Sequence, residues 1–92
     1  EILVRMLTNL KHLYLRAKDL GRTLGCCERI LLLVPDAAHE LRDRGLVFEQ
    51  LECHAAAAAD LERFLELAPD DDSAPAVRER LRQLRLRPQR LH

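Results

Sequence analysis

Three cysteines and four histidines are the side chains of this 92-residue sequence best suited to act as a thiol nucleophile, an imidazole base or a soft metal ligand. Cys26-Cys27 and Cys53-His54 are the pairings to test, because thiolate and imidazole are the usual zinc ligands and imidazole can activate a thiol. Neither spacing supports such chemistry. Successive residues on a helix diverge by roughly 100°, so Cys26 and Cys27 do not converge on one ion, and no C-x-x-C occurs. Cys53 and His54 are neighbours at a turn, not separated residues brought face to face. Gly21 and Gly25 follow a helical pattern and lack a nearby Lys-Ser or Lys-Thr, so they make no phosphate loop. The expectation is no catalytic residue, no metal and no cofactor, with Cys27 in the core and Cys26 more exposed.

Acidic and basic groups are equal, fifteen of each, which removes any bulk electrostatic case for nucleic acid or an anionic membrane. The local exception is C-terminal. Asp70, Asp71 and Asp72 precede Arg78, Arg80, Arg82, Arg85, Arg87 and Arg90, opposed there only by Glu79. Without interleaved aromatics this reads as a solvated helix face with a frayed tail over 87–92, nucleic-acid contact being the alternative function. The odd cysteine set without a signal peptide points to the cytoplasm, and the apolar run Ile30 to Val34 is too short to span a bilayer. Arginine well in excess of lysine, with abundant alanine and leucine, suggests a bacterium with a GC-rich genome. Glu1 in place of methionine suggests a piece of a longer polypeptide.

The elements that hold these residues follow from a repeat. Pro35 aligns with Pro69, Glu28-Arg29 with Glu62-Arg63, Leu31 with Leu65, Leu33 with Leu67, Leu7 with Leu41 and Tyr14 with Phe48, a period of 34 residues. That period belongs to a helix–turn–helix unit. A first helix runs from about Ile2 to Ala17, with Lys18-Asp19 as the turn, and a second ends near Leu33, before Pro35. Asp36 is placed to cap a third helix reaching about Leu51; a fourth covers roughly His54 to Leu67; Ser73 is placed to cap a fifth carrying Val77, Leu81 and Leu84. Gly45 and Ala57 are small where two backbones meet, beside Phe48, Leu61 and Phe64. In the first pair the same places hold Lys11 and Thr23, then Cys27 and Ile30, and Gly21 and Gly25 weaken the second helix.

These positions match the tetratricopeptide consensus in order: Leu7 and Leu41, Gly45, Tyr14 and Phe48, Ala57, then Pro35 and Pro69. The strings RMLTNLKHLYLRAKD, ELRDRGL and DLERFLELAPD further resemble the C-terminal repeat segment of bacterial transglutaminase-like/tetratricopeptide, SirB-type proteins. The resemblance implies an all-α fold: two repeats, about 4–37 and 38–71, and a capping helix, about 73–86, in a right-handed superhelical stack. It also implies a cysteine-protease-like domain upstream, and it transfers no catalytic residue to this chain. Lys11 at the small position puts the close approach of the first two helices in doubt.

The expected function is therefore protein–protein interaction, scaffolding and oligomerisation by a non-catalytic module. The concave wall of such repeats comes mostly from the first helix of each pair. Here that offers Arg5, Thr8, His12, Leu15 and Arg16, then His39, Arg42, Leu46, Glu49 and Gln50, and a groove with Arg42, Arg16 and His12 would suit an acidic peptide. A carboxylate clamp of Lys and Asn is absent, since Thr8, His12 and Asp43 stand in its places. Ile2, Leu3, Met6 and Leu10 leave the first helix over-apolar on its outer side, where a second copy, as a two-fold dimer, or an upstream domain is expected to sit.

Overall fold

Five helices alternate with short turns in a computed structural model that describes residues 2–86. They are α1 Ile2–Arg16, α2 Leu20–Leu33, α3 Ala38–Gln50, α4 His54–Leu67 and α5 Ala74–Leu86, and no strand occurs among the described residues. Helix ends lie within a residue or so of those that periodicity and proline placement predict. The stretch 87–92, expected to fray, lies outside the described residues, with Arg87 and Arg90.

The repeat extends to backbone conformation. Lys18 and Glu52, one period apart, both adopt the left-handed region, at φ 58° and 62°. Each closes the preceding helix in the same way: Asp19 N–H donates to Tyr14 O at 2.9 Å, and Cys53 N–H donates to Phe48 O at 2.8 Å. These six-to-one bonds satisfy carbonyls that the helix end leaves open, which offsets the cost of a left-handed residue that is not glycine.

Starts differ more than ends. Asp19 caps α2 by accepting from Arg22 N–H at 3.1 Å. Asp36 does not cap α3 as expected. Ala37 takes the capping position without a side-chain bond, and Asp36 stays exposed, 3.9 Å from Arg63. Ser73 is also diverted from capping α5: its hydroxyl donates to Asp71 Oδ2 at 2.6 Å and accepts from Arg42 Nη1 at 3.1 Å.

Packing follows chain order, α1 on α2, α2 on α3, α3 on α4 and α4 on α5. The main core lies in the last three helices, where Leu41, Ala57, Leu61, Phe64, Val77, Leu81 and Leu84 are buried together. Gly45 is required there. A methyl group on it would stand 2.9 Å from Leu61 Cδ2 and 3.3 Å from the Ala57 carbonyl oxygen.

The first pair is built differently. Thr23, opposite number of Ala57, is fully buried, and its hydroxyl is satisfied by donating to Asp19 O at 2.8 Å. Lys11, opposite number of Gly45, is also buried, at 3 % exposure. The doubt that lysine raised about the approach of α1 to α2 is resolved by its length: the ammonium reaches past α2 to α3. Cys26 departs from expectation as well, for it is buried with Cys27. Burial pushes the Cys27 thiol up to about 12, so it is unreactive at neutral pH.

Candidate interaction surfaces

Three arrangements of side chains are available for recognition or assembly. The first is internal. Lys11 Nζ donates to both carboxylate oxygens of Glu40, at 2.6 and 2.9 Å, and to Asp43 Oδ2 at 2.8 Å. Glu40 and Asp43 are three apart on α3, so one helical face presents both carboxylates to one ammonium. Burial works against the charged lysine, but the hydrogen bonds it donates to Asp43 and Glu40, with their negative charges, outweigh it and hold its pKa above the ordinary value. All three ammonium protons are used, which makes this a joint between the pairs, not a binding site.

The second is a groove of about 510 Å³ between α3 and α5, lined by Arg42, Leu46, Glu49 and Gln50 on one side and by Ser73, Val77 and Arg80 on the other. Its cations are already matched. Arg42 Nε donates to Asp43 Oδ1 at 3.1 Å, and its guanidinium lies 5.9 Å from the centre of the Phe64 ring. Arg80 Nε donates to Glu49 Oε1 at 2.9 Å. Asp71, which accepts from the lining residue Ser73, has His39 Nε2 at 2.9 Å from its Oδ1. Asp71 is held far below the usual carboxylate range, first by His39, then by the Ser73 hydroxyl and the Ser73 backbone N–H. The groove thus gathers four of the expected concave residues, with His39 paired to Asp71.

The expected α1 residues do not join it. Arg5, His12, Leu15 and Arg16 are exposed, and Thr8 is half-buried with its hydroxyl donating to Val4 O at 2.8 Å. Arg42 does not gather Arg16 and His12 into an anion-receiving trio in this groove: it is engaged by Asp43 and the Ser73 hydroxyl and lies over Phe64, and neither Arg16 nor His12 lines the groove. Sequence reasoning passed over Glu40, Asp71, Ser73 and Arg80 as site residues. A usable signal existed for Glu40: a lysine at a small-residue position, with two acids three apart on the next helix of the same type.

The third is the outer face of α1. Ile2, Leu3, Met6, Leu10 and Leu13 are 78, 46, 56, 38 and 55 % exposed. Only Leu7 and Lys11 of this helix are buried. No helix among the described residues is long and apolar enough to cross a membrane.

Comparison with known proteins agrees with the repeat. A model of the tetratricopeptide repeat matches residues 10–82. A UPF0162 protein of Xylella fastidiosa is 43 % identical over 77 residues, covering 84 % of this chain and 27 % of its own. One from Vibrio cholerae is 38 % identical over the same length, covering 84 % and 28 %. Protein SirB1 of Salmonella typhimurium is 33 % identical over 78 residues, covering 85 % and 29 %. The chain therefore spans little more than a quarter of the length of the curated relatives it matches. With a 34-residue period, paired helices closed at equivalent residues and a family match over most of its length, the chain belongs to the tetratricopeptide repeat family and is similar to the SirB1 and UPF0162 proteins.

Proposed function

We propose that this chain is a non-catalytic interaction and scaffolding module of a larger cytoplasmic bacterial protein, docking through the outer face of α1. Repeats of this family generally mediate protein–protein contacts, and stacked repeats are stabilised by burying each unit against a neighbour. The observation that carries the reading is the asymmetry of the two ends. At one end α5 turns Val77, Leu81 and Leu84 inward and leaves only Leu86 of its large apolar groups exposed among the described residues, whereas at the other α1 leaves six of them in water.

Two occupants follow from the sequence, a second copy and another part of the same polypeptide, and charge favours the latter. Helix α1 contains no Asp or Glu, while Arg5, His12 and Arg16 are exposed on it. Two copies joined through α1 would set these cations near one another without a carboxylate from either helix. The nucleic-acid alternative gains no support from α5, because its arginines have partners. Arg78 donates to Pro69 O and Arg85 to Glu62, each at 2.7 Å, Arg80 pairs with Glu49, and Arg82 pairs with Glu79.

Met6 offers a direct test, since it is the single methionine of the sequence. Peroxide should oxidise it readily in the isolated chain and about tenfold more slowly in the longer polypeptide, where the docking face is covered. Equal rates in the two would sink the proposal.

A further inference from the structure

The exposed face of α1 has two internal templates. Helices α1, α3 and α5 stand one repeat period apart, so their residues correspond at intervals of 34. In α5 the buried residues are Ala74, Val77, Leu81 and Leu84, on the helix that packs against α4. One period earlier stand Glu40, Asp43, Val47 and Gln50. Glu40 and Val47 are buried, and Glu40 and Asp43 receive Lys11 from the preceding pair. One period earlier again stand Met6, Asn9, Leu13 and Arg16, all exposed. These places are buried in α5 and, apart from the exposed Gln50, buried or half-buried in α3, whereas among the described residues nothing covers them in α1, although two of the four are apolar.

The charge around this face is one-sided. Arg5 and Arg16 have no hydrogen-bond or ion-pair partner among the described residues, unlike the described arginines of α5. Asn9 is neutral where Asp43 accepts from Lys11, and Met6 is apolar where Glu40 does. No buried cation is therefore called for at this joint.

Resting on the reading that α1 carries the docking face, we infer that its occupant is an amphipathic helix flanked by carboxylates. It lies on α1 as α2 lies on α3 and α4 on α5. Its apolar stripe covers Met6 and Leu13, and a carboxylate faces Arg16. A second copy of α1 offers the stripe without the carboxylate.

Two synthetic helices with the same leucine stripe, one flanked by glutamates and one by lysines, provide the test. Each is titrated into the isotope-labelled chain and followed by amide chemical shifts. The glutamate helix should bind roughly tenfold tighter than the lysine helix, because like charges are rejected at a desolvating contact. The shifts should centre on Met6, Asn9, Leu13 and Arg16, and Arg16→Glu, an exposed substitution, should reverse the preference. Equal affinity of the two helices at α1 would overturn the charge assignment while leaving α1 as a docking face. Shifts centred on Leu46 and Val77, or no binding of either helix, would overturn the inference, and Met6 protection would then decide the broader reading separately. Sedimentation showing self-association that perturbs the same four residues would overturn it in favour of a second copy.

Discussion

The two helix pairs of this chain solve one packing problem in opposite ways. In the second pair Gly45 lets α3 approach α4, so that Leu61 sits against its backbone and Phe64 completes a dry core. In the first pair the same position holds Lys11, which no interior accepts without partners. The lysine spans the joint between pairs and is neutralised on α3 by Glu40 and Asp43. One pair is held by apolar contact within itself, the other partly by a charge cluster that ties it to its neighbour. A buried ion cluster is demanding in register, since only one arrangement brings both carboxylates to one ammonium.

The largest test of this contrast is Lys11→Ala, which leaves Glu40 buried without its cation. Breaking one side of a buried pair costs about 3–5 kcal/mol, so a strong fall in the denaturation midpoint is expected. The double variant Lys11→Met with Glu40→Leu should recover most of it, because an apolar replacement of a whole buried pair is close to neutral. A single variant as stable as the parent would show that the cluster is incidental to the joint.

How much of this was legible in the sequence depends on range. The period, the helix limits and the inward stripe of Val77, Leu81 and Leu84 come from local patterns, and the structure reproduces them. Lys11 read as a misfit because its partners lie 29 and 32 residues away and meet it only through the stacking of the pairs. The expected groove failed in part for the same reason. Arg42 is on the concave helix, but Ser73 and Asp71, contributed by the next connection, take up its donors and its surroundings. Asp36 failed locally: the start of α3 falls one residue later than a capping aspartate requires.

The glycines sharpen the comparison at smaller cost. Gly45→Ala places a methyl group against Leu61 and the Ala57 carbonyl. Overpacking of this kind costs about 1–3 kcal/mol, against about 1 kcal/mol that alanine gains in a helix. A net loss of up to about 2 kcal/mol by denaturant titration is expected. Gly25→Ala should act in the other direction. Apart from its chain neighbours and the helix's own backbone, no atom lies within 4 Å of the added methyl, and no glycine has positive φ. A gain of about 0.5–1 kcal/mol follows, with slower hydrogen exchange across α2, the helix expected to be the least stable. Destabilisation by Gly25→Ala would mean that the looseness of the first pair lies elsewhere.

The smallest expected effect separates the two joints by pH. Both are charged, but the α1–α3 joint is built on a buried lysine and the α3–α5 joint on the partly exposed Asp71. Lys11 has a folded pKa raised above its ordinary 10.5, so its contribution is full at neutral pH and is lost only as pH climbs through the folded value. Asp71 has a folded pKa lowered from its ordinary 3.8 by His39 and Ser73. Its contribution is therefore present above that value and is lost as pH falls through it toward the folded pKa. Asp71→Asn keeps an acceptor for Ser73 while removing the titration. The variant should be slightly less stable than the parent at neutral pH, and the difference should shrink on acidification below about pH 4, where the parent carboxylate loses its advantage. Alkaline behaviour should be unchanged, because the Lys11 cluster does not include Asp71. If the variant and the parent kept the same gap from neutral pH down to acid, the hydrogen bonds of Asp71 would be geometric fittings without electrostatic weight. The two joints would then differ in kind as well as in burial.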